Sequence, residues 1–205
     1  MSTAVLPVAP PPAEPLSAAP QPIRWTRDDF YAMEGLPSVR DRKSMLIDGE
    51  ILVMPPPGEM SSISQQLAEN CLRAIFPIDQ YSIRGQLGLY FGINTDPVPD
   101  VAVVAGPPRA HSRHPQTALL IVEVADSSLV MDLGDKASLY AAAGIQDYWV
   151  IDVNDRRLHV FRDPQPDPAA KYGASYKQIR VLVAADSIAP LAAPTSAVSV
   201  GDLLP

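Results

Sequence analysis

The chain has 205 residues, 47% of them hydrophobic, and a formal net charge of −7. That is enough apolar material for the core of one domain of ordinary size, and the charge argues against a monomer that grips nucleic acid non-specifically by its phosphates. No apolar run approaches the roughly 18 residues needed to span a bilayer, and a single cysteine, Cys71, excludes an intramolecular disulfide or a multi-cysteine zinc site.

Seven of the 23 prolines fall within the first 22 residues, in "MSTAVLPVAPPPAEPLSAAPQP". Such a stretch favours extended, solvated backbone and has no apolar periodicity to pack. Residues 1–22 are therefore expected to be a disordered tail and 23–205 a single domain. No basic residue precedes an apolar block and prolines interrupt every candidate core, so the tail does not read as an export signal, and the cytoplasm is the expected location. A cluster of cations follows the tail: Arg24, Arg27, Arg40, Arg42 and Lys43. It fits a solvated surface or a local basic strip equally well.

Folded structure is expected from "WTRDDFYAM", with Thr26 as the N-cap of a helix and Asp28 and Asp29 in its first turn. In "SMLIDGEILVMPPP" an Asp-Gly pair between two apolar runs predicts a hairpin turning at Asp48 and Gly49, ended by the proline triplet. Met60, Ile63, Leu67, Cys71 and Ala74/Ile75 recur at helical steps and predict the buried face of a long helix that stops at Pro77. "YSIRGQLGLYFG" alternates as a half-buried strand, with Ile83, Leu87, Leu89 and Phe91 on one side. "PDVAVVAG" and "ALLIVEVA" are short apolar strands separated by a Pro-rich loop, whose His111 and His114 are expected to face solvent. "MDLGDKASLYAAAG" predicts a helix capped by Asp132 and stopped by Gly144. "DYWVIDV" and "RLHVFR" form a second hairpin around Asn154 and Asp155, with Tyr148 and Trp149 in the core, and "YKQIRVLV" is a late strand. The order gives one mixed α/β (α+β) domain.

The polar exceptions in the two apolar strands are Asp100 and Glu123. An ionised carboxylate buried without compensation costs several kcal/mol or more, so Glu123 must be paired, reach a polar cleft, or hold a cation. If the two strands are neighbours the two carboxylates converge and repel each other. A hard divalent cation such as Mg²⁺ or Mn²⁺ relieves that conflict, and so does a positive side chain. Asp132 and Lys136 lie four apart on the next helix, which returns over the sheet, so Lys136 can reach the pair.

Taken together, "DGEILVMPPP", "PDVAVV", "IVEVADSS", "DLGDKASLYAAAGIQDYWVIDV" and "LHVFR", in this order, resemble the Uma-type family of the PD-(D/E)XK nuclease superfamily, over roughly residues 25–185. The resemblance implies a restriction-endonuclease-like fold, a central mixed sheet with flanking helices and an N-terminal hairpin. It also implies endonuclease cleavage of DNA by a homodimer. By the same resemblance Asp100, Glu123 and the Val124 carbonyl are ligands of Mg²⁺ or Mn²⁺. Lys136 takes the place of the lysine that many relatives carry two residues after the glutamate, where this chain has Ala125. Glu50, in the hairpin, is a further candidate for the metal or water network. Relatives often carry a histidine where this chain has Met60, with Glu59 beside it; that departure leaves room for a catalytically inactive module of the same fold.

Overall fold

The apolar runs of the sequence become the middle of one six-stranded sheet, ordered β3-β4-β5-β6-β7-β8 in a computed structural model that describes residues 21–33, 35–36 and 42–205. The expected tail, 1–22, lies outside the described residues except for Gln21 and Pro22, and so does Arg40 of the basic cluster.

Helix α1 (Arg27–Ala32) starts at a capping box in which Thr26 and Asp29 satisfy each other's backbone N–H groups, as expected from the sequence. The hairpin of β1 (Ser44–Ile47) and β2 (Glu50–Val53) turns at Asp48 and Gly49, both at positive φ. Helix α2 (Glu59–Ile75) leads into β3 (Tyr81–Gly85), β4 (Val101–Ala105) and β5 (Leu120–Ala125), each antiparallel to the last. From β5 the chain crosses over through α3 (Leu129–Met131), a π-helical turn (Asp132–Lys136) and α4 (Ala137–Ala142). It then enters β6 (Asp147–Asp152), which lies parallel to β5. β7 (Arg157–Pro166) and β8 (Ala174–Val183) complete the sheet antiparallel. A short pair, β9 (Ser187–Ile188) and β10 (Val198–Ser199), and a 3₁₀ turn (Val200–Leu203) close the C-terminus.

The strand alternation sorts side chains between two layers. On one face Val101, Val103, Leu120, Val122, Trp149 and Ile151 pack against Ala68, Leu72 and Phe76 of α2 and its C-terminal end, together with Val200, Leu203 and Leu204. On the other, Ala102, Val104, Ile121, Tyr148, Val150 and Phe161 pack against Tyr140 and Ala141 of α4. The sheet is thus covered by helix on both faces, as the sequence predicts, and Tyr148 and Trp149 lie in the core.

Three expectations are corrected. Helix α2 buries Ser61, Ser64, Ala68 and Leu72, while Met60 and Ile63 are exposed: the inward face lies one position on from the apolar one. Small side chains let the helix approach the sheet, and Ser64 Oγ donates to the Leu203 carbonyl (2.7 Å). The strand after Pro77 ends at Gly85, and Gln86 takes a positive φ, so Leu87 is carried to the surface instead of continuing an inward face. Finally, the crossover helix begins at Leu129, three residues earlier than expected, so Asp132 lies inside it and is not its cap.

Candidate active site

β4 and β5 are paired with Val101 opposite Val122, and one further step of that antiparallel register sets Asp100 opposite Glu123. Asp100 is fixed there by the Val124 N–H, which donates to its Oδ2 (2.9 Å). Glu123 points to the same face as Ile121 and Ala125, towards the crossover helix, and is 1% exposed. The convergence that the sequence allowed is therefore built by strand register.

The crossover helix delivers the cation. Lys136 Nζ lies 3.0 Å from Glu123 Oε2 and 2.8 Å from Asp132 Oδ1, with all three groups buried. The π turn holds Asp132 and Lys136 on one side of the helix, and Ser128 Oγ donates to the other Asp132 oxygen (2.5 Å). One turn on, the buried Tyr140 hydroxyl donates to Glu123 Oε1 (2.6 Å). Tyr148 supports the π turn from β6 by donating to the Asp132 carbonyl (2.8 Å).

Glu123 and Asp132 thus share one buried ammonium with Asp100 close by, and negative charge is in excess whenever Glu123 is ionised. Burial pushes Glu123 up to about 8, against the pull of Lys136 and the Tyr140 hydrogen bond; Asp100 and Asp132 add to the rise. For Lys136, burial opposes the charge, but Glu123 and Asp132 outweigh it and hold the ammonium above the ordinary lysine value. Lys43, at the start of the hairpin, brings a second cation to 4.0 Å from Asp100 Oδ1.

This cluster borders a cleft of about 280 Å³ between the β5 end of the sheet, the proline triplet and the start of α2. Lys43, Asp100, Val124, Asp126 and Lys136 line it. Asp100 is partly exposed there, Lys136 lines the cleft while remaining buried, and Glu123 is buried and does not line it. Of the residues expected from sequence, the structure brings together Asp100, Glu123, Val124 and Lys136. It does not bring Glu50, which projects from β2 to pair with Arg24 (2.8 Å) in the open and does not line the cleft. Met60 and Glu59 are exposed at the start of α2, where Gly58 and Ser61 face the cleft instead. Asp132, Tyr140 and Lys43 were not anticipated as members. The signal for Tyr140 is its position four residues after Lys136, which repeats the Asp132–Lys136 step. His111 and His114, expected in solvent, are half-buried, and His114 stacks on Tyr90 (5.0 Å, 12° between ring planes).

The donor set suits a hard divalent ion. Mg²⁺ binds through one or two carboxylates and keeps several waters; Asp100 and Glu123 with the Val124 carbonyl are oxygen donors of that kind, placed where negative charge is in excess. Among the described residues no group of three or more His, Cys, Asp or Glu side chains is set to hold a metal, so the protein's share of such a site is two carboxylates and backbone.

Comparison with known proteins bears on the family and the fold. Residues 27–198 match the model of the family "Uma2: Putative restriction endonuclease". A crystal structure of "a putative nuclease belonging to DUF820" from Anabaena variabilis shares the fold with a TM-score of 0.65 at 20% sequence identity, covering 89% of this chain and 97% of that one. No curated protein matches. The restriction-endonuclease-like mixed sheet with flanking helices is therefore the architecture of this chain, which belongs to the Uma2 family.

Proposed function

We propose that the protein is a Mg²⁺-dependent endonuclease that hydrolyses phosphodiester bonds in DNA. The observation that carries this reading is Asp100 and Glu123 opposed in register, with Lys136 lining the adjoining cleft. A purely structural ion pair has no need of a cleft or of a third carboxylate.

Asp100, Glu123 and the Val124 carbonyl would hold Mg²⁺ (or Mn²⁺), which when bound neutralises phosphate charge and makes an attacking water more acidic. The chain's own residues do the rest. Asp100 is kept in place by the Val124 N–H, and Tyr140 orients Glu123 from behind. Lys136 offers a fixed positive charge to the phosphate from a poorly solvated position, where electrostatic stabilisation counts for more than in water. Asp132 holds Lys136 on that line. Lys43, beside Asp100, adds a second positive charge to the lining. A double-strand cut needs two such centres, which a homodimer provides.

The alternative is a catalytically inactive module of the same fold. It draws support from both Glu123 oxygens being engaged, one by Lys136 and one by Tyr140, and from Met60 standing where relatives often carry histidine. One experiment separates the two: cleavage of supercoiled plasmid and single-stranded DNA in EDTA, Mg²⁺ or Mn²⁺, by wild type, Glu123→Ala and Lys136→Ala. Metal-dependent cleavage lost in both variants is the expected result; no cleavage by folded wild type leaves the module.

A further inference from the structure

A second cavity, of about 540 Å³, adjoins the cleft. The two share Lys43 as a wall, and Gln86 in the larger donates a hydrogen bond to Gln65 in the smaller (2.7 Å), so they lie side by side. Its size falls in the range of sites that enclose a small organic ligand.

The lining of the larger cavity has a definite chemistry. Arg42 and Lys43 bring two cations to it, and Asp96 is the one carboxylate among the described lining residues, with Oδ2 taken by the Tyr31 hydroxyl (2.5 Å). Phe30, Leu87 and Val98 supply apolar wall. His114 lines it too, and its Nδ1 is buried without a hydrogen-bond partner among the described residues. The ring is held by Tyr90, whose face also carries the Arg27 guanidinium (3.9 Å to the ring centre). The floor is Gly88: a Cβ there would stand 2.4 Å from His114 Nδ1 and 2.7 Å from Asp96 Oδ1, so only glycine lets these side chains close over the backbone.

Resting on the nuclease reading, we infer that this cavity receives one unpaired nucleotide of a DNA strand running through the cleft. Its phosphate lies against Arg42 and Lys43, and its base is enclosed beside His114, Phe30 and Leu87. Lys43 belongs to both the cavity and the catalytic cleft, with Arg42 beside it in the chain, where the phosphate joining an enclosed nucleotide to the scissile one must pass. A base held in a pocket cannot also be paired in a duplex, so the ligand is single-stranded or locally opened DNA. This also fits a chain whose net charge is negative: the strand is gripped by a short track of cations and an enclosed base, not by a broad basic surface.

The test is fluorescence anisotropy in EDTA with a short labelled single-stranded oligodeoxynucleotide and, separately, its duplex. Wild type should bind the single strand more tightly. Arg42→Gln and His114→Ala should each weaken binding roughly ten-fold, and Arg42→Gln should lower the slope of log affinity against log salt by about 0.7, one phosphate contact on a single strand. Arg42 is exposed, so its variant carries the test even if His114→Ala does not fold; equal melting temperatures check both. Equal binding by wild type and Arg42→Gln, binding of duplex as tight as single strand, or no binding at all overturns the proposal. Plasmid cleavage in Mg²⁺ is scored separately. Cleavage with unaltered strand binding by the variants rejects the subsite and keeps the nuclease, and Arg42-dependent strand binding without cleavage does the reverse.

Discussion

Two carboxylates stand on the neighbouring parallel strands β5 and β6, and both are withdrawn from solvent: Glu123 is 1% exposed and Asp147 0%. Their surroundings differ. Asp147 accepts four hydrogen bonds, from Trp149 Nε1 (2.8 Å), Arg162 Nε (2.8 Å), Arg162 Nη2 (3.3 Å) and the Leu191 N–H (2.8 Å). Its cation, Arg162, meets no other carboxylate among the described residues, Asp147 lines neither the cleft nor the larger cavity, and it ties the C-terminal segment to the sheet. Glu123 has one hydroxyl and one ammonium, and it shares that ammonium with Asp132 while Asp100 faces it across the strand pair. Burial alone does not mark a functional carboxylate. What separates the two is the crowding of three carboxyl groups beside one buried ammonium next to a cleft, which folding by itself would not favour.

The sharpest way to break this contrast is to remove each carboxylate in turn. Asp147→Ala leaves Arg162 half-desolvated and unpaired and strips the Leu191 N–H of its acceptor, so unfolding free energy should fall by about 3–5 kcal/mol. Protein that remains folded should still cleave DNA. Glu123→Gln should do the opposite. Its amide oxygen still accepts from Tyr140, and Lys136 keeps Asp132, so the loss of stability should be only about 1–2 kcal/mol. DNA cleavage, however, should drop by roughly 100-fold or more. Urea titration and plasmid cleavage on the same preparations read both quantities. If Glu123→Gln unfolds the protein as severely as Asp147→Ala, the two carboxylates are of one kind and the contrast fails.

Tyr140→Phe is a milder probe of the same asymmetry. It removes the hydrogen bond that lowers the Glu123 value, so burial and the neighbouring carboxylates act with less opposition. Cleavage should fall by roughly ten-fold at neutral pH, and the rising limb of the pH–rate profile should move to higher pH. A uniform loss at every pH would mean that Tyr140 only packs.

The pH dependence of stability offers a smaller effect. The folded-state value of Glu123, about 8, lies above its ordinary 4.5, so between those values the folded protein holds a proton that the unfolded chain does not. The stability this lends is complete below about pH 4.5 and is lost as pH rises through about 8. Wild type should therefore melt at progressively lower temperature across that window relative to Glu123→Gln, as followed by scanning calorimetry. Parallel curves for the two proteins would show that Glu123 is ionised throughout.

How much of this was legible beforehand depends on what each residue answers to. Asp100, Glu123 and Lys136 could be read because they break an apolar pattern, and strand register then does what pattern alone implies. The helix after β5 was legible as a helix, but Asp132 looked like its cap because Asp is a good N-cap. The π turn that makes Asp132 a partner of Lys136 has no sequence signature of its own. The face of α2 was misread for a different reason. Apolar periodicity marks where greasy residues fall, whereas close contact with a sheet selects small ones, so Ser61, Ser64 and Ala68 went inward and Met60 and Ile63 stayed out. The larger cavity was illegible because it joins α1, the hairpin, the loop after β3 and His114, segments whose contacts are set only by the finished fold.

Glu50 gives the smallest expected effect and the cleanest control on where the site ends. The hairpin carries Lys43 and Met54 to the cleft at its open end, but Glu50 lies at the opposite end, beside the turn. The strand's alternation turns Glu50 to solvent, where Arg24 meets it with both side chains at least half exposed. An ion pair in that setting contributes little, because water screens it and two long side chains must be held still. Glu50→Ala should therefore change unfolding free energy by about 0.5 kcal/mol or less and leave the rate of DNA cleavage where it was. A drop of ten-fold or more in cleavage at unchanged stability would bring the hairpin turn into the catalytic machinery, and the boundary between the charged cleft and the structural surface would have to be redrawn to include it.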